Sequence, residues 1–207
     1  MDRLPTGIPD LDELLGGGVE RSSLTEFYSP SFGILKLLYH RLILSLVEEE
    51  VVAIHAQEFS GLDPYLLRSM ARRLGIDWSL VETNFRIARG FKVEDVLALV
   101  DAAAHLSVPV VLIFDPFLHG GRPDLSWRIR DLTRRATVLS VNRGSTHPIG
   151  GRYHSHTVHT LIRMSPLGEA VKVELVKHPS LPSSTIYITT RELMGEWGGQ
   201  RPLLEWL

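Results

Sequence analysis

The chain of 207 residues contains no cysteine. That absence excludes disulfides, thiolate metal sites and cysteine nucleophiles together. Long apolar runs are missing as well. No stretch approaches the roughly 20 apolar residues of a membrane span, and residues 1–7 carry no apolar segment of the signal-peptide kind. A cytoplasmic protein with no membrane contact is the expectation. Asparagine and glutamine number two each, and lysine is outnumbered by arginine 4 to 18, a composition that points towards heat tolerance. No Gly-x-Ser-x-Gly elbow is present, so the hydrolase arrangement of Ser, His and Asp has no anchor. With 44% hydrophobic and 22% charged residues, the composition suits a folded globular chain and argues against disorder or fibre.

The net charge of −2 conceals an uneven distribution. Residues 1–114 hold 10 Lys+Arg against 16 Asp+Glu (−6), residues 115–165 hold 8 against 3 (+5), and residues 166–207 hold 4 against 5 (−1). The middle segment also carries His119, His147, His154, His156 and His159. An anionic partner is expected to meet the protein there.

Strand and helix patterns alternate along the chain. A turn, a short helix and a Gly-Gly-Gly turn fill 4–18. Strands are expected at 23–28, 51–56, 84–88, 108–114 and 137–141, and helices at 34–47, 63–74, 93–106 and 124–135. Three further strands are expected at 157–164, 170–176 and 185–189. The run Val108 to Phe114 is apolar throughout, as in a parallel strand buried on both faces. The pattern predicts an α/β fold, a mostly parallel central sheet flanked by helices with an antiparallel C-terminal edge. Residues 1–207 are expected to form one domain, with no linker, repeat or low-complexity tract.

In such folds the turn after the first core strand holds phosphates, because glycines let backbone N–H groups converge at an electropositive helix N-terminus. Here that turn reads Ser29-Pro30-Ser31-Phe32-Gly33-Ile34-Leu35-Lys36. Against Gly-x4-Gly-Lys-Ser/Thr, Ser29 takes the first glycine, Ile34 the second, Leu35 the lysine and Lys36 the hydroxyl. Shifting the frame by one residue makes Lys36 the lysine, but Pro30 and Leu35 then replace the glycines and Leu37 the hydroxyl that would hold Mg²⁺. Productive ATP hydrolysis is not expected. The alternative is an atypical phosphate site built from Lys36 with Ser29 or Ser31.

The flanking residues carry a resemblance. Residues 4–25, with Thr6-Gly7-Ile8, Leu11-Asp12 and Leu14-Leu15-Gly16-Gly17-Gly18, are similar to the entry to the ATPase core of the RecA superfamily, especially archaeal RadA, RadB and KaiC-like proteins. The resemblance continues through residues 53–58, which places Glu58 on the glutamate that activates the attacking water. It then runs through 84–91, and through Val110 to Asp115, which places Asp115 on the aspartate associated with Mg²⁺. As a strand-end aspartate, Asp115 fits any α/β sheet equally well. Residues 176–182 resemble a late hairpin whose lysine, here Lys177, reaches a neighbour's ATP. The resemblance implies a RecA-like core with a degenerate phosphate loop and without the N-terminal helix-hairpin-helix domain. Phe85-Arg86-Ile87-Ala88 matches the spelling of a recombinase polymerisation segment, but it is expected inside a core strand, where that match is coincidence.

In this superfamily two loops after the aspartate strand line the DNA axis. Here they correspond to 119–123 and 142–156, both rich in glycine and basic residues. Arg122, Arg143 and Arg152, with Arg128 on the intervening helix, are the candidate phosphate contacts, and Tyr153 and His154 the candidate stacking groups on single-stranded DNA. The other reading makes the helix arginines a solvated face shared with Asp124 and Asp131. A zinc site at His154, His156 and His159 lacks a carboxylate between Asp131 and Glu169 to complete it, so no metal is expected. The function the resemblance implies is a non-catalytic recombinase paralogue without a cofactor, an accessory of homologous recombination and repair. It would bind single-stranded DNA and a RadA-type recombinase or another RecA-family paralogue. The alternatives are an atypical ATPase and a protein-interaction module with no role on DNA.

Overall fold

In the computed structural model the described residues are 3–56, 61–120 and 122–195. A two-stranded ribbon of β1 (Arg3–Leu4) and β2 (Val19–Glu20) brackets α1 (Pro9–Leu14). The chain then runs through β3 (Leu24–Ser29), α2 (Phe32–Leu46), β4 (Val51–His55), α3 (Pro64–Leu74), α4 (Trp78–Asn84), β5 (Phe85–Arg89), α5 (Val93–Ala103) and β6 (Val110–Phe114). It ends with α6 (Pro123–Leu132), β7 (Thr137–Arg143), α7 (Gly151–Thr157), β8 (Thr160–Leu167), β9 (Ala170–Lys177), β10 (Thr185–Thr189) and α8 (Thr190–Leu193).

The large sheet has the order β10-β9-β8-β3-β7-β6-β4-β5. The strands from β8 to β5 are parallel, and β9 and β10 join antiparallel at one edge. The expected architecture is present. Its unbroken apolar strands serve two cores at once, because alternate residues point to opposite faces. On β6, Val110, Leu112 and Phe114 face the layer of α2 and α3, whereas Val111 and Ile113 face the layer of α5 and α6. The start and stop signals of α3 read directly from sequence. Asp63 caps it, Pro64 opens it, and Gly75 closes it in the left-handed region at φ 68°.

Two expectations need correction. Phe85 to Ala88 lie on an edge strand, not in the core: among the described residues β5 pairs only with β4, and Arg86 and Ile87 are exposed. The loop expected through 142–156 contains α7, and β8 begins only at Thr160. A Gly-Gly start followed by Arg-Tyr-His carries no helical apolar period, so α7 is held by tertiary contacts that no local pattern announces.

Candidate functional site

The turn leaving β3 is short: Pro30 and Ser31 alone separate the strand from α2, which begins at Phe32. Three of its backbone N–H groups are bonded from within. Ser29 Oγ accepts the Ser31 N–H at 3.0 Å, Ser31 Oγ accepts the Ile34 N–H at 3.4 Å as the helix cap, and the Ser31 carbonyl accepts the Leu35 N–H at 3.2 Å. Ile34 and Leu35, in the places of the second glycine and the lysine, are buried. Phe32 packs edge-on to Phe114 with centroids 6.0 Å apart. Gly33 lies in the first turn of the helix.

Lys36 is also taken. Its Nζ lies 2.9 Å from Asp63 Oδ2, while Asp63 Oδ1 accepts the N–H groups of Tyr65 and Leu66 at 3.1 Å each. The Lys36 hydrogen bond, with the Leu66 N–H behind it, holds the Asp63 carboxyl below the usual carboxylate range. His40 ties the same two elements together. Its Nδ1 donates to the Lys36 carbonyl at 2.6 Å and its Nε2 accepts the Asp63 N–H at 2.9 Å, and burial lowers its pKa. Beneath, His55 at the end of β4 stacks on Phe114 and lies against Tyr39. Burial, with Arg89 and His40 nearby, lowers the His55 pKa to about 3.

Asp115 follows β6 in the left-handed region, at φ 54°, and is 1% exposed. Its N–H donates to the Val141 carbonyl at 2.7 Å, and the Arg143 Nε lies 2.7 Å from Asp115 Oδ2. That contact is a charge pairing rather than a straight hydrogen bond. Glu58, the expected water-activating residue, lies outside the described residues, as does Gly121 of the first loop.

The basic middle is divided. Arg122 grips Asp124 with two hydrogen bonds, 3.0 and 2.8 Å, and stands 3.6 Å from Glu94. Arg128 pairs with Asp101 and Arg134 with Asp131. Arg143, expected in a DNA-facing loop, is turned to Asp115 instead. His154, expected as an exposed stacking group, is fully buried: its Nε2 lies 2.6 Å from Glu26 Oε2, and its ring packs on Phe117 at 4.5 Å. Arg152 and Tyr153 are exposed on α7 with His156, and no ion pair holds Arg152 among the described residues. Lys177 faces inward. Its Nζ donates to the carbonyls of Ser155 at 3.2 Å, His156 at 3.1 Å and Val158, and Arg130 donates to Thr157 O at 3.2 Å. Two cations therefore cap the C-terminus of α7. Burial, then Arg130, lowers the Lys177 pKa.

Glu26 and Asn142 were not foreseen. Asn142 Nδ2 donates to Ile149 O at 2.7 Å and stands 3.5 Å from Glu26 Oε1, so the pair joins the loop before α7 to the sheet. A glutamate in the middle of β3, between Thr25 and Phe27, was the one available signal.

A family model described as Rad51 matches residues 1–143, more than half of the chain. The chain belongs to the Rad51 family. It is 33% identical over 109 residues to the DNA repair protein RAD51 of Saccharomyces cerevisiae, an alignment covering 50% of this chain and 27% of that protein. It is 25% identical over 234 aligned positions to the DNA repair and recombination protein RadA of Methanocorpusculum labreanum, covering 87% of this chain and 71% of that one. The chain thus spans about a quarter of the yeast relative's length and under three quarters of the archaeal one's. The eight-stranded, mostly parallel sheet of this Rad51-family chain is RecA-like in layout. Among the described residues, no helix is long and apolar enough to cross a membrane.

Proposed function

We propose that this chain is a non-catalytic Rad51-family protein of recombination and DNA repair, which binds single-stranded DNA and works beside a RadA-type recombinase without using nucleotide. The observation that carries the reading is the state of the turn after β3. Groups that a phosphate loop would direct at a triphosphate are engaged within the chain: the Ser31 and Ile34 N–H groups on Ser29 and Ser31, and Lys36 on Asp63. The residues present do not fit magnesium-ATP. Ile34 and Leu35 stand where glycine and lysine would have to be, and no hydroxyl follows them in the metal-ligating place.

The DNA-facing element in this reading is α7, which presents Arg152 and Tyr153 with His156 beside them. An arginine for phosphate and a ring for base stacking suit a single strand. Lys177 belongs to the support of α7 and not to a neighbour's ATP. The edge of β5, unpaired among the described residues and with Arg86 and Ile87 exposed, is the element that supports docking of a recombinase by strand addition.

Fluorescence anisotropy with a labelled single-stranded oligonucleotide tests the reading. Binding should weaken steeply with salt, and Arg152→Ala should reduce both affinity and the salt slope, by about one counterion. Arg122→Ala and Arg128→Ala, each held by acidic neighbours, should change little. Absence of salt-dependent binding would favour the protein-interaction module. Tight binding of magnesium-ATP abolished by Lys36→Ala would favour the atypical ATPase.

A further inference from the structure

The sheet order places β7 between β3 and β6. Its last residue, Arg143, is in register with Ser29, the first position of the degenerate phosphate turn. Gly144, the next residue, donates its N–H to the Ser29 carbonyl at 3.1 Å. On the other side, Asp115 donates its own N–H to Val141 of β7 at 2.7 Å, and the Arg143 Nε lies 2.7 Å from the Asp115 carboxylate. Arg143 therefore sits, at the end of β7, between the two halves of the centre: its backbone borders the turn after β3 and its guanidinium meets the aspartate after β6.

A divalent cation between a triphosphate and that aspartate would need the same ground. Asp115 is 1% exposed, and a carboxylate so far from water needs compensating positive charge. A guanidinium keeps its charge at every physiological pH and repels a dication at this range. We propose that Arg143 is a built-in counter-ion, which supplies at Asp115 the positive charge that a metal would bring and so completes the centre without metal or nucleotide. Arg143 is a positioning residue. Its carbonyl accepts the Ile149 N–H at 2.8 Å, so the pairing also fixes the start of the loop that leads to α7. The inference rests on the nucleotide-free reading above, but its test does not involve DNA.

The test is thermal unfolding of the full chain with chelator and with millimolar manganese chloride, for the unsubstituted protein, Arg143→Gln, Asp115→Asn and the double variant. The unsubstituted protein should melt at the same temperature in both solutions. Arg143→Gln should melt several degrees lower in chelator and recover part of the loss with manganese. The double variant should recover without metal and ignore it. If Arg143→Gln does not fold at all, folding of the double variant carries the same conclusion. The proposal is overturned by a manganese shift in the unsubstituted protein that Asp115→Asn removes, by an Arg143→Gln variant as stable as the parent or blind to manganese, or by a double variant no better than Arg143→Gln. Failure of oligonucleotide binding with these outcomes intact would count against the proposed function alone.

Discussion

The Lys36 ammonium lies 2.9 Å from the Asp63 carboxylate, and the other oxygen of that carboxylate caps α3. One side chain thus both occupies a lysine from the former phosphate turn and starts the next helix. Asp63→Ala should lower unfolding stability by about 1 kcal/mol for the lost cap. The half-exposed ion pair adds only a fraction of that. Lys36→Ala removes the pair and keeps the cap, so it should cost less. Urea denaturation of both variants measures the difference, and equal costs would contradict the assignment.

Acid should weaken the fold through its buried imidazoles. The folded pKa of His55 is depressed to about 3 from an ordinary value near 6.5, and His40 moves in the same direction. A depressed histidine binds fewer protons folded than unfolded. Its contribution is therefore fully present above about pH 6.5 and is lost as pH falls towards 3. The loss from His55 reaches the order of 4 kcal/mol at the acid end. His55→Leu should flatten the stability profile between pH 6.5 and 4 in denaturation experiments. An unchanged slope would contradict the assignment.

Glu26 and His154 meet at 2.6 Å with no exposure on either side. Removing one partner leaves the other buried without compensation, and His154→Ala should cost of the order of 3 kcal/mol. Replacing both by leucine should cost less than the two single changes summed, because an apolar pair needs no partner. A double-mutant cycle in denaturant measures the coupling, and strict additivity would contradict it.

Lys177 and Arg130 hold the last carbonyls of α7. Lys177→Met should therefore loosen that helix without unfolding the sheet. Amide exchange should rise in residues 151–157 while β3, β6 and β7 keep their protection, and oligonucleotide affinity should fall with it. Uniform exchange, or none, would contradict the role given to Lys177.

Much of the fold was legible because its elements carry their own signals. The apolar strands at β4 and β6, the Asp63-Pro64 opening of α3 and its Gly75 stop all read locally. The turn after β3 departs from the phosphate-loop pattern in both frames, at Ile34 and Leu35 in one and at Pro30, Leu35 and Leu37 in the other. What sequence did not reveal depends on partners distant along the chain. Arg143, Arg122 and Arg128 look like free cations until Asp115, Glu94 and Asp101 are placed beside them. His154 looks like a loop residue until Glu26, 128 positions earlier, fixes it indoors. The fold of α7 follows from that contact and from Lys177, not from its own period.

Calorimetric titration with magnesium-ATP probes the turn after β3 itself. The account predicts no saturable heat at millimolar nucleotide, with Lys36→Ala indistinguishable from the parent. Saturable micromolar binding that disappears in Lys36→Ala would contradict it.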